Sequence, residues 1–426
     1  INAKQYSYNG SAELAPLIIG ENALYIQARG TIVRDLGFDY QVDGYRGNDL
    51  TIFAKHLFRN RTIVDWTYQQ SPDSIVWCVL DNGKVIALTY VREHQVFGWH
   101  RHDFGDDTAE NVCSIPEGTE DFVYFVVNRT IGSTTKKYIE RMATRNISDV
   151  IDNQFMDSFL TYDGRNTGST TMTLSGGSSW DYTETLTLTA SSSTFVSTDV
   201  GNQIQLTGSD GEMIRFTINH YTSATVVTGK PHKDVPSSLQ SHAVTEWARA
   251  VDQITGLWHI EGKEVSIFGD RFVVASPNNE SYDTVTVTNG TITMDRPYAV
   301  VHVGIPYLSD VETLDIDTAS GETLADKKKN VSRLTIFVES SRGIWAGALP
   351  PSDDDTDPLE NLNELKIRNS ETYDEPVDLA TGSVEINLRP EWNSNGRIFI
   401  RQVDPLPLSV LSVAPAGLFP FKSGNQ

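Results

Sequence analysis

Cysteine is nearly absent: the chain of 426 residues carries two, Cys78 and Cys113. A stapled secreted scaffold would carry more. Both lie in apolar, strand-like surroundings, so buried free thiols are expected. Positive charge is also scarce. Lys and Arg number 34 against 56 Asp and Glu, a formal net charge of −22. Such a chain repels DNA rather than coating it by neutralising phosphates. Solubility is the plain consequence of that charge. A sharper one applies to a conduit, whose negative wall keeps DNA from sticking while it slides. No apolar run is long enough to cross a bilayer, so no membrane partner is expected. Ile1-Asn2-Ala3-Lys4-Gln5 does not read as a signal peptide, because no apolar segment follows a basic start. With no initiator Met, the chain is expected to be a fragment or processed product with upstream sequence missing.

Catalytic signatures are missing too. There is no Gly-x-Ser-x-Gly elbow, no P-loop and no Gly-x-Gly-x-x-Gly after a strand. A Ser/His/Asp triad is assembled in space and leaves no spacing to read. Carboxylate pairs for glycoside hydrolysis are available throughout so acidic a chain and discriminate nothing. His100 and His102, within Gly98-Trp99-His100-Arg101-His102-Asp103, point to one face of a strand and could share a metal. No second ligand cluster accompanies them at a recognisable spacing, and the position of His220, His232 and His242 relative to them is open. The expectation is therefore no metal and no cofactor, with Trp99 packed in a sheet and the His and Arg side chains pairing with Asp103 or a neighbouring subunit. Lys327-Lys328-Lys329 is the single basic run, read as a solvated turn rather than a DNA contact. Ser352-Asp353-Asp354-Asp355-Thr356-Asp357-Pro358 lacks the Gly and distal Glu of an EF-hand loop and reads as a solvated acidic loop.

What is abundant is strand chemistry. Helix signals are confined to Asp49–Phe58 and Val244–Val251. Elsewhere Val, Ile, Thr, Tyr and Phe alternate with polar residues and are cut by Gly, Asn-Gly and Asp-Gly, which predicts an all-β fold. Apolar residues make up 39 %, enough for real cores. Asp81-Asn82-Gly83 between Ile75–Leu80 and Lys84–Tyr90 predicts a hairpin. A faint repeat of roughly 50 residues, in the range of propeller blades, runs through the first part. Ala23–Gln27, Gly30 and Thr31–Phe38 form one unit, Ser74–Val79, Gly83 and Val85–Tyr90 a second. Asp121–Val127, Gly132 and Lys137–Arg141 form a third. Ile63–Tyr68 and Glu110–Ile115 would be the inner strands of the second and third blades. Three units do not close a propeller.

The expected organisation is residues 1–150 as propeller-like blades and 166–248 as an inserted Ser/Thr/Gly-rich β-domain. Residues 250–340 would form a second β-domain, and 341–426 C-terminal strands returning to the propeller or a platform. The insertion contains Gln203–Thr207 and Ile214–Ile218 flanking Gly208-Ser209-Asp210-Gly211. Later strands are predicted at Glu264–Phe268, Arg271–Val274, Thr284–Thr288, Thr291–Met294, Asn330–Val338 and Ile344–Trp345. Val384–Leu388 and Arg397–Arg401 are predicted as a strand pair, closed by the apolar tail Leu406–Val413.

An ordered series of segments carries a resemblance. It begins at Gln69-Gln70-Ser71-Pro72-Asp73-Ser74-Ile75-Val76-Trp77-Cys78 and continues through Gly98–His102, Ile115–Asp121, Val127–Thr130 and Lys136–Arg141. It resumes at Gly256-Leu257-Trp258-His259-Ile260-Glu261-Gly262-Lys263, Val301–Tyr307, Ser341-Arg342-Gly343 and Arg401–Leu408. The series resembles the tail tube, or nozzle, proteins of short-tailed bacteriophages, a family that includes packaged-DNA stabilisation proteins. Residues 166–241 lie outside it. The resemblance implies a virion protein with no active site. It would form a homo-oligomeric ring, usually a hexamer, below the portal and adaptor and in contact with tail fibres or a tail needle. Such a ring retains packaged DNA and conducts it, without specific binding, during ejection. Trp77 and Trp99 would then pack blades, and Gly83 and Gly98 would turn them. The rival expectation is a host-surface glycan-binding or depolymerising tail protein, also acidic, aromatic and all-β. A secreted bacterial propeller enzyme is a third class, disfavoured by the missing chemical motifs.

Overall fold

A computed structural model describes residues 8–41, 43–146, 148–317, 323–324, 326–352, 356–367 and 376–418. The run Asp353–Asp355 lies outside the described residues, as do Ile1–Gln5. The chain divides into two compact units, Ile1–Ser148 and Asp149–Gln426. Both are built from antiparallel strands, with short 3₁₀ turns as the described helical elements.

The first unit holds three sheets. β1 (Leu17–Ile19), β2 (Asn22–Ile26), β3 (Val33–Asp39) and β4 (Gly44–Asp49) form one meander. β5 (Ile63–Gln69), β6 (Ile75–Leu80), β7 (Val85–Val91) and β8 (Val96–His102) form the next. β9 (Thr108–Glu117), β10 (Glu120–Ile131) and β11 (Thr134–Arg141) form the third. The middle sheet is covered on both faces, which is why β6 is apolar throughout rather than alternating. Val76, Cys78 and Leu80 face the first sheet and join a core with Leu24, Ile26, Val33 and Phe58. Ile75, Trp77 and Val79 face the third sheet and join Val112, Val123, Phe125 and Val127. The sheets are therefore stacked face on face, with side-chain layers between them.

The second unit begins with β12 (Asp157–Asp163). A Ser/Thr-rich segment follows: β13 (Met172–Ser175), β14 (Leu186–Ala190), β15 (Gln203–Thr207), β16 (Met213–Ser223), β17 (Val226–Pro231) and β18 (Ala243–Val244). Leu186, Leu188, Ile204, Leu206, Ile214, Phe216 and Ile218 alternate with polar residues and fill one core of its own. β19 (Trp247–Thr255) leaves this segment and does not stop at its edge. Its first half pairs with β15, and its second half with β23 (Thr291–Tyr298). β20 (Glu264–Gly269), β21 (Phe272–Ala275), β22 (Val285–Thr286) and β24 (Val300–Ile305) complete the adjoining sheet with β12. The last sheets are β25 (Ser309–Glu312), β27 (Trp345–Gly347), β28 (Asn363–Glu364) and β31 (Phe399–Gln402), and β26 (Lys329–Ser341) with β29 (Ala380–Asn387), β30 (Trp392–Asn393) and β32 (Val410–Leu418).

Several expectations need correction. Asp49–Phe58 is no helix. Asp49 accepts from the backbone N–H and hydroxyl of Thr51, and the chain then runs in successive i→i+3 turns. Local side-chain bonding of this kind competes with helix propagation. Val244–Val251 is no helix: Val244 ends β18, and from Trp247 the chain is strand, with Ala248 and Ala250 paired across to β15. β29 and the strand at Arg397–Arg401 do not pair with each other. The first joins β26 and the second lies between β25 and β27. Alternation marks a strand but does not name its partner. Lys329, read as part of a solvated turn, is buried and donates from Nζ to the Ser394 carbonyl at 2.5 Å. Cys113 is exposed, on the outer face of the third sheet, while Cys78 is buried.

Candidate assembly surface of the stacked sheets

The site residues singled out from the sequence all fall in the middle sheet. Trp77 is 0 % exposed and lies between the second and third sheets. Its indole N–H donates to Gln69 Oε1 at 3.1 Å. Phe125 meets it edge-on at 5.9 Å, and the Arg145 guanidinium stands 6.0 Å above its ring. Arg145 also donates to Gln69 Oε1, and Gln69 Nε2 donates to the Asp121 carbonyl at 2.6 Å, so one buried amide ties together three neighbours. Trp99 packs on the opposite face, edge-on to Phe58 at 4.9 Å, with its N–H on the Leu50 carbonyl.

His100 and His102 share Trp77's face. Their rings are joined by a hydrogen bond of 2.8 Å between His100 Nδ1 and His102 Nε2. Burial comes first, then the repulsion that a protonated His100 would exert and the charge of Arg145, and together they hold His102 down to about 3. Burial and Arg145 lower His100 as well. The pair is thus neutral and structural. Asp103 binds Lys84 rather than a histidine. Among the described residues, no group of three or more His, Cys, Asp or Glu side chains is placed to hold a metal.

Gly83 closes the β6–β7 turn at φ +77°, and a Cβ there would come within 2.4 Å of Thr108 Cβ. Its carbonyl accepts from Ala109 N–H, at the start of the third sheet. Gly30, in the β2–β3 turn, does the same one sheet earlier: a Cβ would lie 2.9 Å from Thr62 Cβ, and its carbonyl accepts from Ile63 N–H. The sequence repeat is therefore a contact repeat, a turn glycine seated on the opening strand of the next sheet. Gly132, in the tighter β10–β11 turn, meets nothing within 4 Å. Gly98 makes no turn; it lies inside β8, opposite Thr89.

Among the described residues, both outermost faces of the stack carry exposed apolar side chains. On the third sheet, Phe122 pairs across with Ile115, Tyr124 with Cys113 and Val126 with Ile139, all outside the core. Ile139 is 78 % exposed, and Arg141 stacks on Phe122 at 3.6 Å. On the first sheet, Ile18, Phe38 and Tyr45 are exposed, with Tyr45 edge-on to Phe38. Sequence alternation marked these outward residues as strand but not as apolar faces left uncovered. The class so defined is an all-β protein of stacked antiparallel sheets carrying a β-rich insertion. No family model matches the chain, and no curated protein matches it.

Proposed function

We propose that this chain is a structural, non-enzymatic subunit of a short-tailed bacteriophage tail tube, assembling into a ring through which viral DNA passes. The carrying observation is the repeated glycine seat between successive sheets, which stops at Gly132 while both outermost faces carry exposed apolar side chains, among ion pairs such as Arg141–Glu117 on the third sheet. A stack of this kind is completed by further sheets. A head-to-tail contact that repeats around an axis closes a ring. The ordered resemblance to nozzle proteins supplies the class and the hexameric expectation, with portal, adaptor and fibre or needle proteins as neighbours. The net charge of −22 suits a lumen that conducts DNA without holding it. Electron microscopy of the purified oligomer or the assembled virion tests the reading. A ring with a central channel is expected; a chain that stays monomeric beside its adaptor ring in mass photometry sinks it.

A further inference from the structure

The inserted segment places one tyrosine where a core residue would be wasted. Trp180, Tyr221 and Trp247 pack on its core, and Phe195 and Phe216 are inside it. Tyr182 is 58 % exposed. It lines a shallow, open surface depression with His232, Lys233 and Asp234.

The loop that carries Tyr182 is held in place. Glu184 accepts from the backbone N–H groups of Ser178, Ser179 and Trp180, and Asp181 accepts from the Thr183 N–H and the Ser179 hydroxyl. Trp180 sits at φ +61°, an unfavourable conformation for a bulky residue, of the kind that concentrates at ligand clamps. Two bonds tie the loop to the opposite wall: Tyr182 N–H to Asp234 Oδ1 at 3.0 Å and Val235 N–H to the Trp180 carbonyl at 2.8 Å. The backbone that carries the ring is thus held against the segment that bears His232, Lys233 and Asp234, which lowers the backbone ordering entropy to be lost on binding.

We infer that this depression binds a saccharide through a pyranose ring. The tyrosine ring offers a flat apolar face to the sugar's axial C–H groups. Asp234 Oδ2, which no neighbour among the described residues engages, is an acceptor for hydroxyls. Lys233, anchored on Glu212 at 2.9 Å, supplies ammonium donors. One ring face, one carboxylate acceptor and one ammonium donor match a hydroxylated ring.

Saturation-transfer NMR on the full chain tests this, with the methyl pyranosides of glucose, galactose, mannose, rhamnose and N-acetylglucosamine as probes. At least one is expected to take up saturation. Tyr182→Ala should weaken it about ten-fold or more, while Tyr40→Ala, an exposed tyrosine of the other unit, leaves it unchanged. Asp234→Asn keeps the Oδ1 bond to the loop and replaces only the open oxygen by an amide donor, so it should weaken binding without loosening the loop. No transfer to any of the five, or unchanged affinity in Tyr182→Ala, overturns the inference.

Discussion

At Gly83 the backbone sits at φ +77° with Thr108 within Cβ-clash distance, whereas Gly98 lies in ordinary strand geometry facing open space. Two substitutions of the same kind should therefore differ in sign. Gly83→Ala forces a left-handed alanine against the next sheet and is expected to cost about 2 kcal/mol or more. Gly98→Ala removes backbone freedom from the unfolded chain and should stabilise by about 0.5 kcal/mol. Urea midpoints of the two variants check this; equal shifts would contradict the seat at Thr108. A turn glycine was readable from Asp-Asn-Gly alone. Its second role was not, because Thr108 is brought to it only by the stacking of sheets.

The half-buried histidines give the same scale a pH signature. Folded His100 and His102 bind protons less readily than the unfolded chain, whose histidines titrate near 6.5. The unfolded state then carries more protons, so stability rises with pH in this range. It is present in full above about 6.5 and is lost as pH falls toward the His102 value of about 3. Denaturant midpoints of the wild type should fall between pH 7 and pH 5, and His102→Gln should flatten that slope. An unchanged slope would mean that His102 is not desolvated against Trp77. The i, i+2 spacing identified a shared face but could not say whether that face met solvent, a metal or Trp77.

Among elements, β19 is the most informative. Sequence composition changes near Gly164 and again near Ala250, and that alone locates an insertion. It does not reveal that the two ends are neighbours: Asn166 N–H donates to the Trp247 carbonyl and Arg249 N–H to the Gly164 carbonyl, each at 2.8 Å. Nor does it reveal that Gln205 of the insertion donates to Asp270 at 2.6 Å, on a carboxylate that also caps Ala299 and Val300 N–H. Replacing residues 168–245 by a short Gly/Ser turn should leave the remaining strands of the second unit folded. The melting temperature should drop, since β19 loses β15 and Asp270 loses one donor. Circular dichroism and thermal melts check this, and unfolding of the whole unit would mean that the insertion is integral to its core. The same deletion separates functions: it removes the saccharide site and leaves the stacked sheets of the first unit intact.

For the whole molecule, two opposing quantities decide assembly. Every copy carries a net charge of −22, so copies repel over a screening length of roughly 10 Å at 0.1 M salt. Against that stand the exposed apolar side chains of the end faces, whose burial depends little on salt. Assembly should therefore be weak at low ionic strength and strengthen as salt is raised, the reverse of a complex held by opposite charges. Ile139 gives the specific test. It is 78 % exposed in the single chain, so Ile139→Glu should change the stability of the fold by about 0.5 kcal/mol or less. Placed on an end face, the same carboxylate would have to be desolvated beside an apolar neighbour and would block stacking. Mass photometry at about 50 and about 300 mM salt should show the wild type shifting to larger species while Ile139→Glu remains monomeric at both. If the variant assembles as the wild type does, the outer face of the third sheet is not the contact, and the proposed ring would need some other surface of the chain.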